Sequence, residues 1–269
     1  MRARALVAGG LAAVLLTGCA QSVDPIERLG KKAAQRVGSY GPDGPGGESR
    51  ADGRPYRHWG LLAPLQAPPR VAVRAAVRRG GLLPVVRRVG TSDKVVFLTY
   101  DDGAERDPRF VDMVRELRLP VSMFLTDSVV GPGYGHFARL QSVGASIQNH
   151  TLDHSALRGL PYAGQRAEIC GQQEKVRSRF GIRPRLFRPP YGTYDRTTLR
   201  AAADCGLSAV VLWSVSLEGG APRRPLRAGD IVSVASGEAS GPTLTERTTT
   251  VLREIERRGL TVGRLEDYL

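Results

Sequence analysis

The sequence predicts an α/β fold built on a parallel β-sheet, and two observations support this. After Ser92, short apolar segments such as KVVFLTY alternate with amphipathic segments such as DPRFVDMVRELR. This alternation is typical of βα units, whose strands run parallel in a sheet that is open or closed into a barrel. The length of 269 residues is enough for one sizeable α/β domain. Functional side chains are then expected where the strands end.

The first strand, VVFLTYDDG, ends in two adjacent carboxylates, Asp101 and Asp102. Asp-Gly is also a common turn pair, so an ordinary tight turn would explain this stretch on its own. A functional interpretation needs partners elsewhere in the chain. Those partners should follow other strands of the same sheet, because the carboxyl ends of parallel strands lie at one edge.

The segment NHTLDHSAL supplies the first candidate partners, His150 and His154. On a helical turn this spacing puts both imidazoles on one face, where two nitrogens can reach one metal ion. Two imidazoles and one carboxylate suit Zn²⁺ or another divalent transition ion. The alternative is a pair of surface histidines at the start of a helix. The chain has two other histidines, His58 and His136, and nothing in the sequence places them near this pair.

The segment LFRPPYGTYD supplies the next candidates. Arg188 follows a short apolar strand, and two prolines stiffen the turn after it. That turn could hold the backbone N–H of Tyr191 toward a reacting carbonyl group. The alternative is a Pro-Gly turn with a solvated arginine.

The three motifs TYDDG, HTLDH and RPPYG occur in this order, separated by 46 and 33 residues. This set resembles the polysaccharide deacetylases of carbohydrate esterase family four, which include chitin and peptidoglycan deacetylases. Within that family, the chain resembles an actinobacterial member of the lipoprotein type. The resemblance covers about residues 91–269, with VVLW and RLEDYL near the end. It implies a distorted (β/α) barrel with fewer than eight repeats, and it makes residues 91–269 the catalytic domain.

The resemblance also implies a division of roles among the motif residues. Asp102, His150 and His154 would bind a divalent metal, zinc in the first place, with cobalt or manganese as alternatives. Asp101 would be the general base, and Arg188 would pair with it and orient it. An activated water would then attack an acetyl carbonyl, while Asp101 takes its proton.

The substrate side of the site follows from the same resemblance. The N–H of Tyr191 would help to hold the oxyanion, and Pro190, Tyr191 and Trp213 would bind an acetylated polysaccharide such as peptidoglycan or a chitin-like glycan. We expect a monomer. No nucleic-acid partner is expected, because the chain has no aromatic-basic binding motif.

The sequence departs from the family pattern in two places. The stretch GDIVSVAS puts Ala235 where the fifth motif usually has a histidine that protonates the leaving group. The fourth motif, LWSVSLEGG, lacks the usual acidic residue directly after the tryptophan and the Asp-Trp pair that follows it. Metal-bound water, or a mobile group such as Glu218 or Glu238, could substitute as the acid. Loss of the histidine weakens N-deacetylation more than O-deacetylation, because an unprotonated amine is a poor leaving group.

Three functions therefore stay open at this point. The leading one is a metal-dependent hydrolase that removes acetyl groups from an extracellular or cell-wall polysaccharide. The second is a catalytically degenerate glycan-binding or scaffold domain that keeps the fold and the metal site. The third is an esterase that acts on small acetylated molecules through the same residues. Retention of Asp101 and Arg188, which serve chemistry more than metal affinity, favours an enzyme.

The first 22 residues have the pattern of a secretion signal, since Arg2 and Arg4 precede an apolar run and small residues. The ending LTGC resembles a bacterial lipobox, so residues 1–18 would be a signal peptide and Cys19 the lipidated residue. The alternative is a plain signal peptide cut nearby, with Cys19 uninvolved. We expect an extracytoplasmic protein, either anchored by lipid to the outer face of the cell membrane or secreted.

Residues 19–90 are interpreted as a Gly/Pro-rich and basic tether. Of the formal net charge of +13, residues 1–94 contribute +10. The arginine-rich part could lie on anionic lipid or wall polymer, or could be a solvated linker. Residues 71–90 fit a short basic helix or an edge segment laid on the domain.

Cys170 and Cys205 remain inside the exported part of the chain. Two cysteines suffice for one disulfide in an oxidising compartment. The alternative is two buried free thiols, which behave as small apolar side chains.

Overall fold

A computed structural model describes residues 54–69, 82–217, 220–234 and 241–269. The strands in these ranges are β1 Val85–Val86, β2 Val95–Asp102, β3 Val121–Leu125, β4 Ser146–Asn149, β5 Leu186–Phe187, β6 Ala209–Val211, β7 Val215–Ser216, β8 Ile231–Val234 and β9 Thr261–Val262. The α-helices are α1 Pro55–His58, α2 Pro108–Glu116, α3 Asp127–Val130, α4 Tyr134–Ser142, α5 Tyr162–Phe180, α6 Arg196–Asp204 and α7 Leu244–Arg257. Short 3₁₀ turns cover Gly131–Gly133, Pro190–Gly192 and Leu265–Asp267.

The strands form a sheet in the order β1-β6-β5-β4-β3-β2-β8-β7, with β9 beside the start of β2. All strand pairs in the described residues are parallel. Strands β6 and β7 lie far apart in this order, yet only residues 212–214 separate them in the chain. The sheet therefore curls back on itself, and the predicted (β/α) barrel of the polysaccharide deacetylase type is confirmed.

Strand β2 runs through the middle of the sheet and carries the first motif. Its first six residues are buried, as expected for a parallel strand that is covered on both faces. Helix α2 follows it, with Asp107 as the N-cap and Pro108 in the first turn. Phe110 and Met113 of this helix are fully buried in the largest apolar cluster, as its amphipathic pattern predicts.

Residues 54–69 and 82–90 do not behave as a free tether. Trp59 and Leu61 are 5% and 3% exposed and belong to the main apolar core. Residues 85–86 form an edge strand on β6, which is one of the two alternatives that the sequence left open. Burial of large apolar side chains explains why a segment rich in proline and glycine packs here. The domain therefore includes residues 54–69 and 82–90, in contrast to the boundary at residue 91 inferred from sequence.

A disulfide joins Cys170 in α5 to Cys205, the residue directly after α6. It links two helices on one side of the sheet and excludes the alternative of two free thiols in this structure. Both residues lie in or against the second apolar cluster, which also contains Phe187 of β5.

The predictions for the signal peptide at 1–18, for Cys19, and for Glu218, Ala235 and Glu238 fall outside the described residues. The described helices include none with the length and apolar character needed to cross a membrane.

Candidate active site

The predicted site residues come together at the edge of the sheet where the parallel strands end. Asp101 and Asp102 are the last two residues of β2, His150 directly follows β4, and Arg188 directly follows β5. Strands β2, β3, β4 and β5 are consecutive in the sheet, so these side chains reach one place from separate parts of the sequence.

Asp102, His150 and His154 form one compact group. The Oδ1 atom of Asp102 lies 3.3 Å from Nε2 of His150 and 3.1 Å from Nε2 of His154. One nitrogen or oxygen atom of each side chain lies within 4.8 Å of the others, and no second group of this kind occurs in the described ranges. His58 instead contacts Glu116, and His136 is buried in α4.

The two histidines lie on a loop and not on a helical turn, in contrast to the sequence-based expectation. The N–H of Thr151 donates to Oδ1 of Asn149 at 3.0 Å, and the N–H of His154 donates to Oγ1 of Thr151 at 3.1 Å. Thr151 and His154 have φ angles of 70° and 56°, which non-glycine residues rarely adopt. Side-chain hydrogen bonds and local strain, rather than helical periodicity, bring the imidazoles together.

The orientation of His150 is fixed by the backbone of the third motif. Its Nδ1 atom lies 2.7 Å from the carbonyl oxygen of Arg188, and the ring is buried. A carbonyl oxygen only accepts, so Nδ1 carries the proton in this contact and Nε2 is the nitrogen that faces Asp102. Metal-binding histidines are typically held in this way by a backbone carbonyl.

The charge states of the group suit a divalent ion. Burial raises the pKa of Asp102, but nearby His150, His154 and Arg188 outweigh it and hold the pKa below its usual range. Burial, followed by the neighbouring His150, lowers the pKa of His154 and favours its neutral ring. Asp102 Oδ1 is buried and accepts no hydrogen bond from the described residues. An ionised carboxylate with an unsatisfied oxygen beside two imidazole nitrogens fits a transition metal such as zinc.

Arg188 holds the other carboxylate of the first motif. Its Nη1 atom lies 2.6 Å from Oδ1 of Asp101, and the arginine side chain is fully buried. Its guanidinium stacks 4.3 Å from the Phe124 ring centre, and its Nε atom donates to the carbonyl of Val211. Burial lowers the pKa of Arg188, while Asp101 opposes that shift, and an arginine remains charged in such a site.

The sequence did not identify two further polar residues of the site, Thr99 and Ser233. The Ser233 hydroxyl lies 3.2 Å from Oδ2 of Asp101. The Thr99 hydroxyl lies 2.9 Å from Nη1 of Arg188 and donates to the carbonyl of Val232 at 2.8 Å. The alternation of side chains along a strand could have identified Thr99, because it is two residues before Asp101 and so lies on the same face of β2.

The third motif presents an aromatic surface beside the metal-binding group. Tyr191 has a φ angle of 60°, and its side chain is 65% exposed. Its ring stands edge-on to His154, with 4.8 Å between the ring centres. Trp213 packs against Gly192, where an added Cβ atom would approach the indole to 3.1 Å, while Pro190 is buried beneath the turn. An exposed aromatic ring at this place can contact the apolar face of a sugar.

The sequence of this region matches a known family. The family model for polysaccharide deacetylases matches residues 88–210, which include all three motifs. An uncharacterized protein of Streptomyces coelicolor is 61% identical over 194 residues, which cover 70% of this chain and 78% of that protein. A chitooligosaccharide deacetylase of a Bradyrhizobium species is 30% identical over 139 residues, covering 50% of this chain and 63% of the relative.

Solved structures show the same fold. A family 4 carbohydrate esterase from Bacillus anthracis superposes with a TM-score of 0.60 at 20% identity, covering 68% of this chain and 86% of that one. A pseudoenzyme of the same esterase family from Bacillus anthracis gives a TM-score of 0.59 at 20% identity, covering 68% of each chain. The chain contains a polysaccharide deacetylase domain, and its barrel has the fold of carbohydrate esterase family four.

Proposed function

We propose that this protein is a metal-dependent hydrolase that removes acetyl groups from an extracellular or cell-wall polysaccharide. One observation carries the proposal: the Asp102, His150 and His154 group lies directly beside the ion pair of Asp101 and Arg188. A metal-binding function alone has no use for the second carboxylate and its buried arginine. Hydrolysis of an acetyl group uses both, since a base must accept the proton of the attacking water.

Each residue has a separate task in this proposal. Asp102, His150 and His154 hold a divalent metal, most readily zinc, with cobalt or manganese as alternatives. Such an ion, when bound, polarises the acetyl carbonyl and lowers the pKa of water. Asp101 accepts a proton from the water that attacks, and Arg188 orients that carboxylate through its 2.6 Å contact.

The backbone N–H of Tyr191 is proposed to donate to the oxygen that becomes negative during attack. The side chains of Tyr191 and Trp213 form the adjacent surface for a sugar ring. Pro190 is buried and supports the turn that carries Tyr191, so it does not contact the sugar as the sequence predicted. The substrate class, an acetylated peptidoglycan or chitin-like glycan, is supported by relatives named as chitooligosaccharide and peptidoglycan-N-acetylglucosamine deacetylases. The proposed location, outside the cell membrane with a lipid anchor at Cys19, rests on the LTGC motif.

A second candidate function is a glycan-binding or scaffold domain that keeps the fold without turnover. The observation that favours it is Ala235, since an alanine cannot protonate a leaving group. General acid catalysis typically contributes about 10²- to 10⁴-fold in rate. Its loss slows amide cleavage more than ester cleavage, so an active enzyme with this sequence is expected to prefer O-acetyl groups.

The test is acetate release by the full chain from N-acetylated chitooligosaccharide and O-acetylated xylan. Each substrate is measured with added Zn²⁺ or Co²⁺ and with a chelator, beside the Asp101→Asn variant. Release that needs metal and disappears in the variant supports a hydrolase, and the ratio of the two substrates identifies the preferred linkage. Absence of release on both, with metal still bound, supports the glycan-binding alternative.

A further inference from the structure

The Asp101 carboxylate is held on both of its oxygens. Nη1 of Arg188 lies 2.6 Å from Oδ1, and Oγ of Ser233 lies 3.2 Å from Oδ2. An ionised carboxylate can only accept hydrogen bonds, so the serine hydroxyl is the donor. Two donors on opposite oxygens restrict rotation of the carboxylate, which a single donor would permit.

These contacts belong to a network that ties three strands together. Thr99 accepts from Arg188 and donates to the carbonyl of Val232, while Ser233 donates to Asp101. Thr99 and Ser233 are register partners in the parallel pair of β2 and β8. The network thus joins the ends of β2 and β8 to Arg188, which follows β5. Thr99 and Arg188 are fully buried and Ser233 is 4% exposed, so water competes little with these bonds.

A serine at position 233 is unexpected from packing alone. The rest of β8, Ile231, Val232 and Val234, is apolar and buried. A buried hydroxyl costs free energy unless it makes a hydrogen bond, and an apolar residue would satisfy this strand position without one. The hydrogen bond to Asp101 explains a serine at this position, whereas packing of the apolar core does not.

We propose that Ser233 is a positioning residue that, together with Arg188, fixes the Asp101 carboxylate for proton transfer. This inference rests on the proposed hydrolytic function. Ser233 acts through Asp101 and not through the metal ligands, since its described contact is with the base. Its removal should therefore slow turnover without weakening metal binding.

The chain offers a matched control in Ser122 of β3. This serine is also buried in a parallel strand, and its hydroxyl donates to a carboxylate oxygen of Glu266 at 2.8 Å. Glu266 lies in the last 3₁₀ turn of the chain, which is separate from the three site motifs. Ser122→Ala therefore removes the same type of bond from the same type of strand at another place.

The experiment compares wild type, Ser233→Ala, Ser233→Thr and Ser122→Ala as full chains loaded with zinc. We measure kcat and KM with 4-nitrophenyl acetate and with N-acetylated chitooligosaccharide, and zinc affinity by calorimetry. Loss of a hydrogen bond to a charged group predicts that Ser233→Ala lowers kcat by roughly tenfold or more, with KM and zinc affinity unchanged. Ser233→Thr keeps the hydroxyl and recovers part of kcat, and Ser122→Ala stays within about twofold of wild type.

An equal loss of kcat in both alanine variants, or a parallel loss of zinc affinity in Ser233→Ala, overturns the inference in favour of a purely structural serine. Crystal structures of wild type and Ser233→Ala separate this inference from the proposed function. A carboxylate of Asp101 that keeps its orientation in Ser233→Ala overturns the positioning role, whatever the activity. If the wild type releases no acetate but the Asp101 carboxylate rotates in Ser233→Ala, the positioning contact is supported and the hydrolytic function is rejected.

Discussion

Asp101 and Asp102 are adjacent in the chain but have different surroundings. Asp102 has a φ angle of 66° and turns its carboxylate toward the two imidazoles. Asp101 stays at the end of the strand and contacts Arg188 and Ser233. The change of backbone conformation between the two residues sends their side chains to different partners. One residue pair can therefore supply both a ligand and a base.

This arrangement predicts a division of effects between the two carboxylates. Asp102→Ala removes a charged ligand atom and should lower zinc affinity by at least tenfold, and His150→Ala should do the same. Asp101→Asn keeps all three ligands, so zinc affinity should change by less than about threefold while acetate release is lost. Calorimetric zinc titration of the three variants measures the first effect, and acetate release measures the second.

Equal loss of zinc affinity in all three variants would contradict the division. His58→Ala is the matched control, because this histidine contacts Glu116 at a distance of 3.2 Å on another part of the domain. Its zinc affinity should equal that of wild type.

At the residue scale, the sequence motifs predicted which side chains lie close together. They did not predict the backbone conformation that brings those side chains together. The grouping of Asp102, His150 and His154 and the contact of Arg188 with Asp101 were predicted from the three motifs. The loop around the histidines was not, since a spacing of four is compatible with both a helix and a strained loop. Ser233 was also missed, because its partner is 132 residues away in sequence.

At the scale of elements, helix α6 is tied to the loop that follows the histidines. Asp195 caps this helix by accepting from the N–H of Thr198 at 2.9 Å. The same carboxylate accepts from the N–H of Gly159 at 3.0 Å. One side chain thus fixes both the start of α6 and a loop five residues beyond His154.

This cap makes a prediction with a defined pH dependence. Burial raises the pKa of Asp195, but hydrogen bonds from Gly159, Thr198 and Gln165 outweigh it and lower the pKa to about 2. The folded pKa lies below the unfolded value of 3.8, so the stabilisation is present above pH 3.8 and is lost as pH falls toward 2. Asp195→Ala should lower the free energy of unfolding by about 1 kcal/mol at neutral pH.

Urea unfolding at pH 6 and pH 2.5 tests this prediction. The difference between wild type and Asp195→Ala should be smaller at the lower pH. Asp112→Ala, which removes an exposed carboxylate paired with Arg115, should change stability by less than about 0.5 kcal/mol at pH 6. A difference for Asp195→Ala that stays constant with pH would show that its charge is not what stabilises the helix.

The alternation of helices and strands after Ser92 was predicted because apolar periodicity is local, but helices α3 and α4 and strand β4 were not predicted. The order of strands in the sheet was not predictable from periodicity alone, since it depends on which strands meet after folding. The barrel was predicted from the resemblance to a known family. The packing of residues 54–66 escaped prediction, because they lie in a longer stretch, Gly41 to Pro69, that is rich in glycine and proline, while Trp59 and Leu61 provide the packing.

At the scale of the whole molecule, residues 54–69 are packed on the barrel and are not an appendage. Nε1 of Trp59 donates to Glu116 at 2.8 Å, and the N–H of Leu62 donates to Glu256 at 2.9 Å. The carbonyl of Gln66 accepts from the hydroxyl of Thr261. These contacts anchor the segment to α2, α7 and β9.

Two adjacent leucines test this attachment. Leu61 is 3% exposed and Leu62 is 86% exposed. Leu61→Ala should lower the free energy of unfolding by about 2 to 5 kcal/mol, because it leaves a cavity in the core. Leu62→Ala should change it by less than about 0.5 kcal/mol. Urea denaturation of both variants measures the difference, and equal small effects would mean that the segment is detached from the domain in solution.

The contacts of residues 54–69 also fix which end of the barrel this segment occupies. Glu116 is the last residue of α2 and Thr261 is the first residue of β9, so the segment packs where strands begin, whereas Asp101 and Asp102 lie where β2 ends. Residues 54–69 therefore lie at the opposite end of the parallel strands from Asp101 and Asp102. The described domain thus keeps this segment and the proposed site on separate faces, and a substrate bound at the site as proposed need not displace the segment.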